Sequence, residues 1–195
     1  MKRKLGATDI FFPVPAALIV SGNEAKSNIM TIAWIGMVSS TPPTVGISMT
    51  KSRYSLELIE SSKEFTVNIP SAEDFKEVDY CGIVSGRKHD KFDETSFTPL
   101  ASSKVKVPII KECPYNMECV VTQTITLGDY VLILGEVVET HIDEDKISNE
   151  ANKEKIDITK VNPLVYCATV REYWGLGEKL GLAFSNTSLK REELK

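Results

Sequence analysis

Histidine is nearly missing from this chain: only His89 and His141 occur in 195 residues. That scarcity argues against a histidine-rich metal site. The four cysteines, at 81, 113, 119 and 167, show no C-x-x-C spacing, and Cys113-x5-Cys119 is not a zinc arrangement. They read as scattered, reduced core thiols. No apolar run approaches the roughly 20 residues that a membrane helix needs. The opening Met-Lys-Arg-Lys imitates a secretory signal, but Asp9, Pro13 and Pro15 interrupt it and Val20 runs on into Ser-Gly-Asn-Glu without a cleavage site. The segment is read as part of the mature fold, the expected localisation is cytoplasmic, and the Asn186-Thr-Ser sequon then carries no weight. Positive charge is not in excess either. A net charge of −4 argues against a general nucleic-acid partner.

Nucleotide and catalytic signatures are missing as well. No Walker-type loop and no internal repeat occur. Gly175-x-Gly177-x-x-x-Gly181 mimics a dinucleotide fingerprint, yet its last spacing is one residue too long and no βαβ unit follows, which excludes a Rossmann nicotinamide domain. His89 beside Asp90 is not a dyad, because sequence neighbours rarely face each other and no nucleophile motif accompanies them. No catalytic residue and no metal ligand is assigned.

What is present reads as a single domain over 1–195, mainly β with a few helices. An arm over about 1–15 carries Phe11 and Phe12 as expected anchors, with Pro13 and Pro15 favouring extended backbone. Strands are expected at 16–20, 28–35, 44–49, 65–69, 117–127, 130–142 and 164–170. Gly22-Asn23-Glu24 marks a first hairpin and Gly128-Asp129 a second, long one. Ser52 is the candidate N-cap of a helix over 53–61 with Leu56 and Ile59 inward, and Ser71-x-x-Asp74 is a capping box for a helix over 72–81. The acidic run to about 155 reads as a surface excursion. A charged tail covers about 182–195 and frays at 190–195. Short strands with Gly and Pro punctuation point to an antiparallel barrel.

The chemistry concentrates in residues 27–55. Ser48, Thr50, Ser52 and Ser55 crowd Lys51 and Arg53 just ahead of a helix start. Hydroxyls, cations and unpaired helix N–H groups are the donors that a phosphate accepts. A plain solvated turn has the same composition, and both readings stand on these residues alone. The strand before it is apolar on both faces, which also fits two-sided packing without a ligand. Ser85-Gly86-Arg87-Lys88-His89-Asp90-Lys91-Phe92 is either a loop closing over a phosphate or an exposed charged loop.

The order Asn28-x-x-Thr31-x-Ala33-Trp34, Val38-Ser39-x-x-Pro42-Pro43-x-Val45, Arg53-x-Ser55-x-x-Leu-Ile59 and Phe65-x-Val67-Asn68 resembles the flavin reductase-like, FMN-binding split-barrel family, best its flavoredoxin-like branch. Tyr173-Trp174-Gly175-Leu-Gly177 matches the aromatic turn that commonly ends that barrel. The resemblance spans roughly 10–175 and implies an antiparallel Greek-key split β-barrel forming a homodimer, with a flavin near the subunit interface. It implies bound FMN, with FAD less favoured, and NAD(P)H or a redox partner protein as electron source. The backbone and side chains of Asn28, Met30, Thr31, Ile32, Ala33 and Trp34 would flank the flavin ring. Ser48, Met49, Arg53, Tyr54 and Ser55 would hold the ribityl chain and phosphate, with Lys88 and Lys91 closing over them. The function it implies is a flavoredoxin-type oxidoreductase passing electrons or hydride through the flavin. An NAD(P)H:flavin oxidoreductase with exchangeable flavin, and a non-redox ligand-binding barrel, are the alternatives.

Overall fold

The computed structural model describes residues 1–23, 25–150 and 153–184. Behind the arm, β1 (Val14–Pro15) leads into β2 (Ala17–Asn23), which turns back as β3 (Lys26–Ile32). The turn rests on Gly22, whose φ of +110° suits glycine; a Cβ there would sit 2.2 Å from the Lys26 carbonyl oxygen. A bend at Ala33 and Trp34 follows, then β4 (Ile35–Ser40) and β5 (Pro43–Thr50). The helix α1 (Tyr54–Ser62) and β6 (Glu64–Ile69) come next, then a 3-10 turn over Ala72–Asp74 running into α2 (Phe75–Ile83) and α3 (Lys91–Glu94). Short β7 (Pro99–Leu100) and β8 (Ile109–Ile110) precede the two long strands β9 (Tyr115–Leu127) and β10 (Tyr130–Ile142). The chain closes with the hairpin β11 (Ile147–Glu150) and β12 (Lys153–Ile156), α4 (Ile158–Val161), β13 (Val165–Cys167) and β14 (Glu172–Trp174).

The main sheet has the order β3-β2-β6-β9-β10-β5-β4 with antiparallel neighbours throughout. Strands β6, β9 and β10 lie side by side and β5 joins at the β10 edge. Followed backwards along the chain, that is the 4-1-2-3 arrangement of a Greek key. Alternation along β2 divides the core in two. Ala17 and Ile19 join Met30, Ile32, Val45, Ile47, Phe65, Val67, Cys119 and Ile133, together with Leu56 and Ile59 of α1. Residues from strands spread across the whole sheet touch one another only if the sheet curls around them, so this cluster is the barrel interior. Leu18 and Val20 face the other way, joining Ile29, Val78 and Cys81 under α2, with Phe97, Val107, Ile110 and Cys113. Each fully buried aliphatic side chain contributes about 1.5–3 kcal/mol over leaving it in water.

Several boundaries differ from the sequence reading. The strand expected over 28–35 stops at Ile32, and a separate β4 follows, because a run apolar on both faces carries no periodic mark of the corner at Ala33 and Trp34. The Pro-Pro break is the turn of the β4–β5 hairpin, with a cis Thr41–Pro42 bond and Pro43 as the first residue of β5. Arg53, not Ser52, occupies the N-cap of α1, without a side-chain cap; the Ser52 hydroxyl instead meets Thr50 Oγ1 at 3.1 Å. The Ser71/Asp74 capping box is formed, but it caps the 3-10 turn ahead of α2. The strand expected over 164–170 ends at Cys167, and Arg171, at φ +57°, turns the chain into β14. The acidic excursion contains the β11–β12 hairpin. Among the described residues Phe11 and Phe12 stay out of the core, 76% and 56% exposed, with Phe11 only bordering a shallow pocket beside Trp34 and Ile35. The sequon at Asn186 and the tail beyond 184 lie outside the described residues.

Candidate functional site

Strand β3 is an edge of the main sheet, and α2 with the short α3 covers it. Thr31 Oγ1 donates to the Val78 carbonyl, which ties strand to helix. Beyond the bend at Ala33 and Trp34, the Ser48 amide donates to the Trp34 carbonyl at 2.9 Å, linking this corner to β5. Two confluent cavities open here.

The first, of about 280 Å³, is bordered by Met30, Thr31, Ile32, Ala33 and Trp34 on one side and by Ser48, Met49, Thr50 and Tyr130 on another. Asp79, Gly82 and Ile83 of α2, with Tyr166 and Tyr173 of the small C-terminal sheet, complete it. The two tyrosine rings pack 5.3 Å apart, and Tyr173 Oη donates to Asp79 Oδ1 at 3.3 Å. Burial, reinforced by the Asp79 charge, pushes the Tyr173 phenol up to about 12, so it stays protonated.

The second cavity, of about 300 Å³, shares Met30, Thr50, Arg53 and Ile83 with the first. Asn28, Ser52, Tyr54, Ser55, Ser85, Gly86 and Lys91 complete its polar wall, and among the described residues no Asp or Glu borders it. Asn28 Nδ2 donates to Ser55 Oγ at 2.7 Å. Gly86 lies so close to this pair that a Cβ there would fall 1.8 Å from Asn28 Oδ1, so only glycine fits. Arg53 stands where the cavities meet; its guanidinium Nη1 reaches the Gly82 carbonyl at 3.4 Å. Lys91 is 4% exposed, and its ammonium donates to the carbonyls of Ile29 at 2.6 Å and Cys81 at 2.7 Å. Burial holds Lys91 down at about 8; the Cys81 sulfur opposes that shift and Arg53 adds to it.

All the candidate residues named from the sequence border one of these cavities, except Lys88, which is exposed at the surface. Neighbouring Arg87 is also set apart, forming an ion pair with Glu57 while its guanidinium sits 5.0 Å from the Tyr54 ring centroid. His89 faces Glu94 at 3.0 Å, not Asp90, whose carboxylate caps α3. Sequence reasoning missed Asp79, Gly82, Ile83, Tyr130 and Tyr166 at the site. Tyr173 entered it only as part of the aromatic turn. These residues arrive from elements far apart in the chain, and nothing local marks them. Among the described residues no group of His, Cys, Asp or Glu is placed to hold a metal, and no helix is long and apolar enough to cross a membrane.

The donor set fits a flavin nucleotide. A planar apolar ring suits the cavity walled by Met30, Ile32, Met49, Trp34 and the tyrosines, and an anion suits the acid-free cavity holding Arg53, Lys91 and the hydroxyls.

Comparison with known proteins agrees. Residues 10–175 match the model of the flavin reductase like domain family. An uncharacterised protein of Archaeoglobus fulgidus is 41% identical over 139 residues, covering 71% of this chain and 78% of the relative. The structure of flavoredoxin from Desulfovibrio vulgaris (Miyazaki F) superposes with a TM-score of 0.89 at 32% identity, covering 96% of this chain and all of that one. Flavoredoxin from Methanosarcina acetivorans superposes at 0.84 with 30% identity, covering 95% and 97%. Together these matches support a flavin-binding function of oxidoreductase type. The chain, with its antiparallel split β-barrel, belongs to the flavin reductase-like domain family, on its flavoredoxin-like branch.

Proposed function

We propose that this protein binds FMN across the two confluent cavities and acts as a flavoredoxin-type oxidoreductase. The observation that carries this reading is the pairing of an aromatic, apolar cavity with an acid-free cationic one, joined at Arg53. When bound, the flavin supplies the redox chemistry, taking and returning electrons or hydride, which relieves the chain of any need for its own acid, base or nucleophile. Met30, Thr31, Ile32, Ala33 and Trp34 line the ring, and Ser48 and Met49 the span between ring and phosphate. Arg53 presents a planar fork to the phosphate, with Asn28, Tyr54 and Ser55 around it. Lys88 would reach the cofactor only by moving in from the surface. Gly86 and Lys91 border the second cavity beside Asn28 and Ser55, where the phosphate of FMN would sit. NAD(P)H or a partner redox protein supplies the electrons.

A homodimer accompanies this reading. On the strand that follows the bend at Trp34, Met37 and Val38 are 57% and 56% exposed, an apolar face that a second copy would cover. Sedimentation at micromolar protein should give twice the monomer mass; a monomer at all concentrations would defeat this.

The first experiment is an absorption spectrum of the purified protein, before and after anaerobic NADH and NADPH. Bands of an oxidised flavin that survive gel filtration support a resident cofactor, and bleaching by a pyridine nucleotide identifies the donor. Colour lost on the column, with added FMN still reduced by NAD(P)H, supports an exchangeable flavin. A colourless protein that also fails to bind added FMN defeats both readings and leaves a non-redox barrel.

Arg53→Ala should weaken FMN binding by about 1.5–3 kcal/mol, the range for a hydrogen bond to a charged group, with little change in stability because the side chain is exposed. Unchanged affinity by fluorescence titration would remove Arg53 from the phosphate site.

A further inference from the structure

The two cavities differ in the sign of their charge. Arg53 and Lys91 stand in the second, whereas Asp79 is the one carboxylate bordering either cavity among the described residues, and it belongs to the first. Its place there is fixed from two sides. Asp79, Gly82 and Ile83 fall at i, i+3 and i+4 of α2 and so share the helix face turned to the first cavity. The helix is pinned at this height: Val78 is fully buried with its carbonyl bound by Thr31, and a Cβ on Gly82 would lie 3.3 Å from Thr31 Cβ. From the other side, Tyr173 of β14 donates its hydroxyl to Asp79 Oδ1 at 3.3 Å. Asp79 takes part in none of the ion pairs formed among the described residues. Its charge therefore acts on its neighbours, and Tyr173 registers it: burial and then the Asp79 carboxylate push that phenol up to about 12.

Resting on the FMN reading above, we infer that Asp79 sets the reduction potential of the bound flavin: its carboxylate, held at the ring cavity by Tyr173, disfavours the reduced cofactor and makes it a stronger reductant. The step it acts on is the arrival of two electrons at the ring with one or two protons. When one proton accompanies them, a negative charge stays on the ring, and a carboxylate in the cavity wall raises its energy. The oxidised ring is neutral and feels that carboxylate less. Asp79 is exposed at the cavity wall, so water screens it until a ring displaces that water, and the full effect belongs to the loaded protein. Arg53 stands where the cavities meet, at the phosphate end of the cofactor, and the phosphate engages its charge. Asp79 therefore weakens binding of reduced FMN more than of oxidised FMN, and the potential falls with the ratio of the two affinities.

The test loads wild type and three variants with FMN and reduces each anaerobically with dithionite, at a fixed mildly alkaline pH, against a dye of known potential. Asp79→Asn removes the charge and keeps an oxygen that accepts from Tyr173. It should favour reduced over oxidised FMN about tenfold relative to wild type, a rise of about 30 mV for a two-electron couple. Its affinity for oxidised FMN and the melting temperature of the cofactor-free protein should barely move. Asp79→Glu, which keeps the charge, should stay near the wild-type potential. Tyr173→Phe keeps the charge and removes the tether, so it should lower the melting temperature while moving the potential much less than Asp79→Asn does. A purely structural role for the pair would reverse that ranking. An unchanged potential in Asp79→Asn, or an equal rise in Tyr173→Phe, overturns the inference and leaves the FMN reading standing. If wild type binds no FMN, the cofactor reading fails first and the inference falls with it.

Discussion

Replacing Glu118 by Gln should destabilise the protein by about 3 kcal/mol at pH 7, an effect that shrinks as the solution is acidified. Glu118 is fully buried on β9, and its carboxylate accepts from the amides of Ser103 at 2.7 Å, Lys104 at 2.6 Å and Val105 at 3.0 Å. The Ser103 hydroxyl donates at 3.0 Å and His141 Nε2 at 2.6 Å. Burial alone would raise its pKa, but the Ser103 amide, the His141 ring and the amides of Lys104 and Val105 outweigh it and hold the carboxyl at about 2. A folded-state pKa below the unfolded one stabilises the fold above about pH 4.5 and stops doing so as pH falls towards 2. Glutamine would turn an N–H group towards the same donors. Urea unfolding of both proteins should show the difference fall to about half by pH 3. A difference independent of pH would mean that charge is not what matters at this position. Amide exchange of residues 103–105 should speed up in the variant, since this carboxylate is what pins that loop to the barrel.

Phe65→Ala should cost about 3–5 kcal/mol, the loss expected for emptying a buried aromatic site. Phe65 is fully buried on β6 within the barrel interior, and its ring lies over Gly135 of β10, beside an irregularity between Leu134 and Gly135. A Cβ on Gly135 would fall 2.5 Å from Phe65 Cζ, so Gly135→Ala alone is an overpacking change of about 1–3 kcal/mol. The two sites share one space. Gly135→Ala combined with Phe65→Leu should therefore cost less than the sum of the single changes. Strict additivity in thermal unfolding would show that ring and glycine do not compete for that volume. Because Met30, Ile32 and Met49 belong to the same cluster and line the first cavity, Phe65→Ala should also weaken flavin binding.

Most of the strand content was legible, because alternation and turn chemistry are local. The long β9–β10 hairpin shows this best: Thr122, Thr124 and Thr126 opposite Val121 and Ile125, closed by Gly128 at φ +59°, are visible without any partner strand. The Ser71/Asp74 box is equally local and equally correct. What failed locally was the corner at Ala33 and Trp34. Both faces of β3, which leads into it, are buried by different layers, Met30 and Ile32 on one side and Ile29 on the other, which erases the polar side that periodicity depends on.

The sequence by itself determined a mainly β antiparallel barrel, its hairpins, and a family resemblance carried by the order of motifs over 28–68. Only the tertiary structure decided that Lys91 is buried while Lys88 is exposed, although they stand three positions apart and the chemistry of their side chains is the same. It alone placed Glu118 among three amides of the loop 13 to 15 residues before it, and brought Asp79, Tyr130, Tyr166 and Tyr173 to one cavity. The physical reason is that backbone preference acts between residues a few positions apart. Burial, charge environment and cavity walls come from contacts between segments tens of residues apart, which a single sequence does not encode as a pattern.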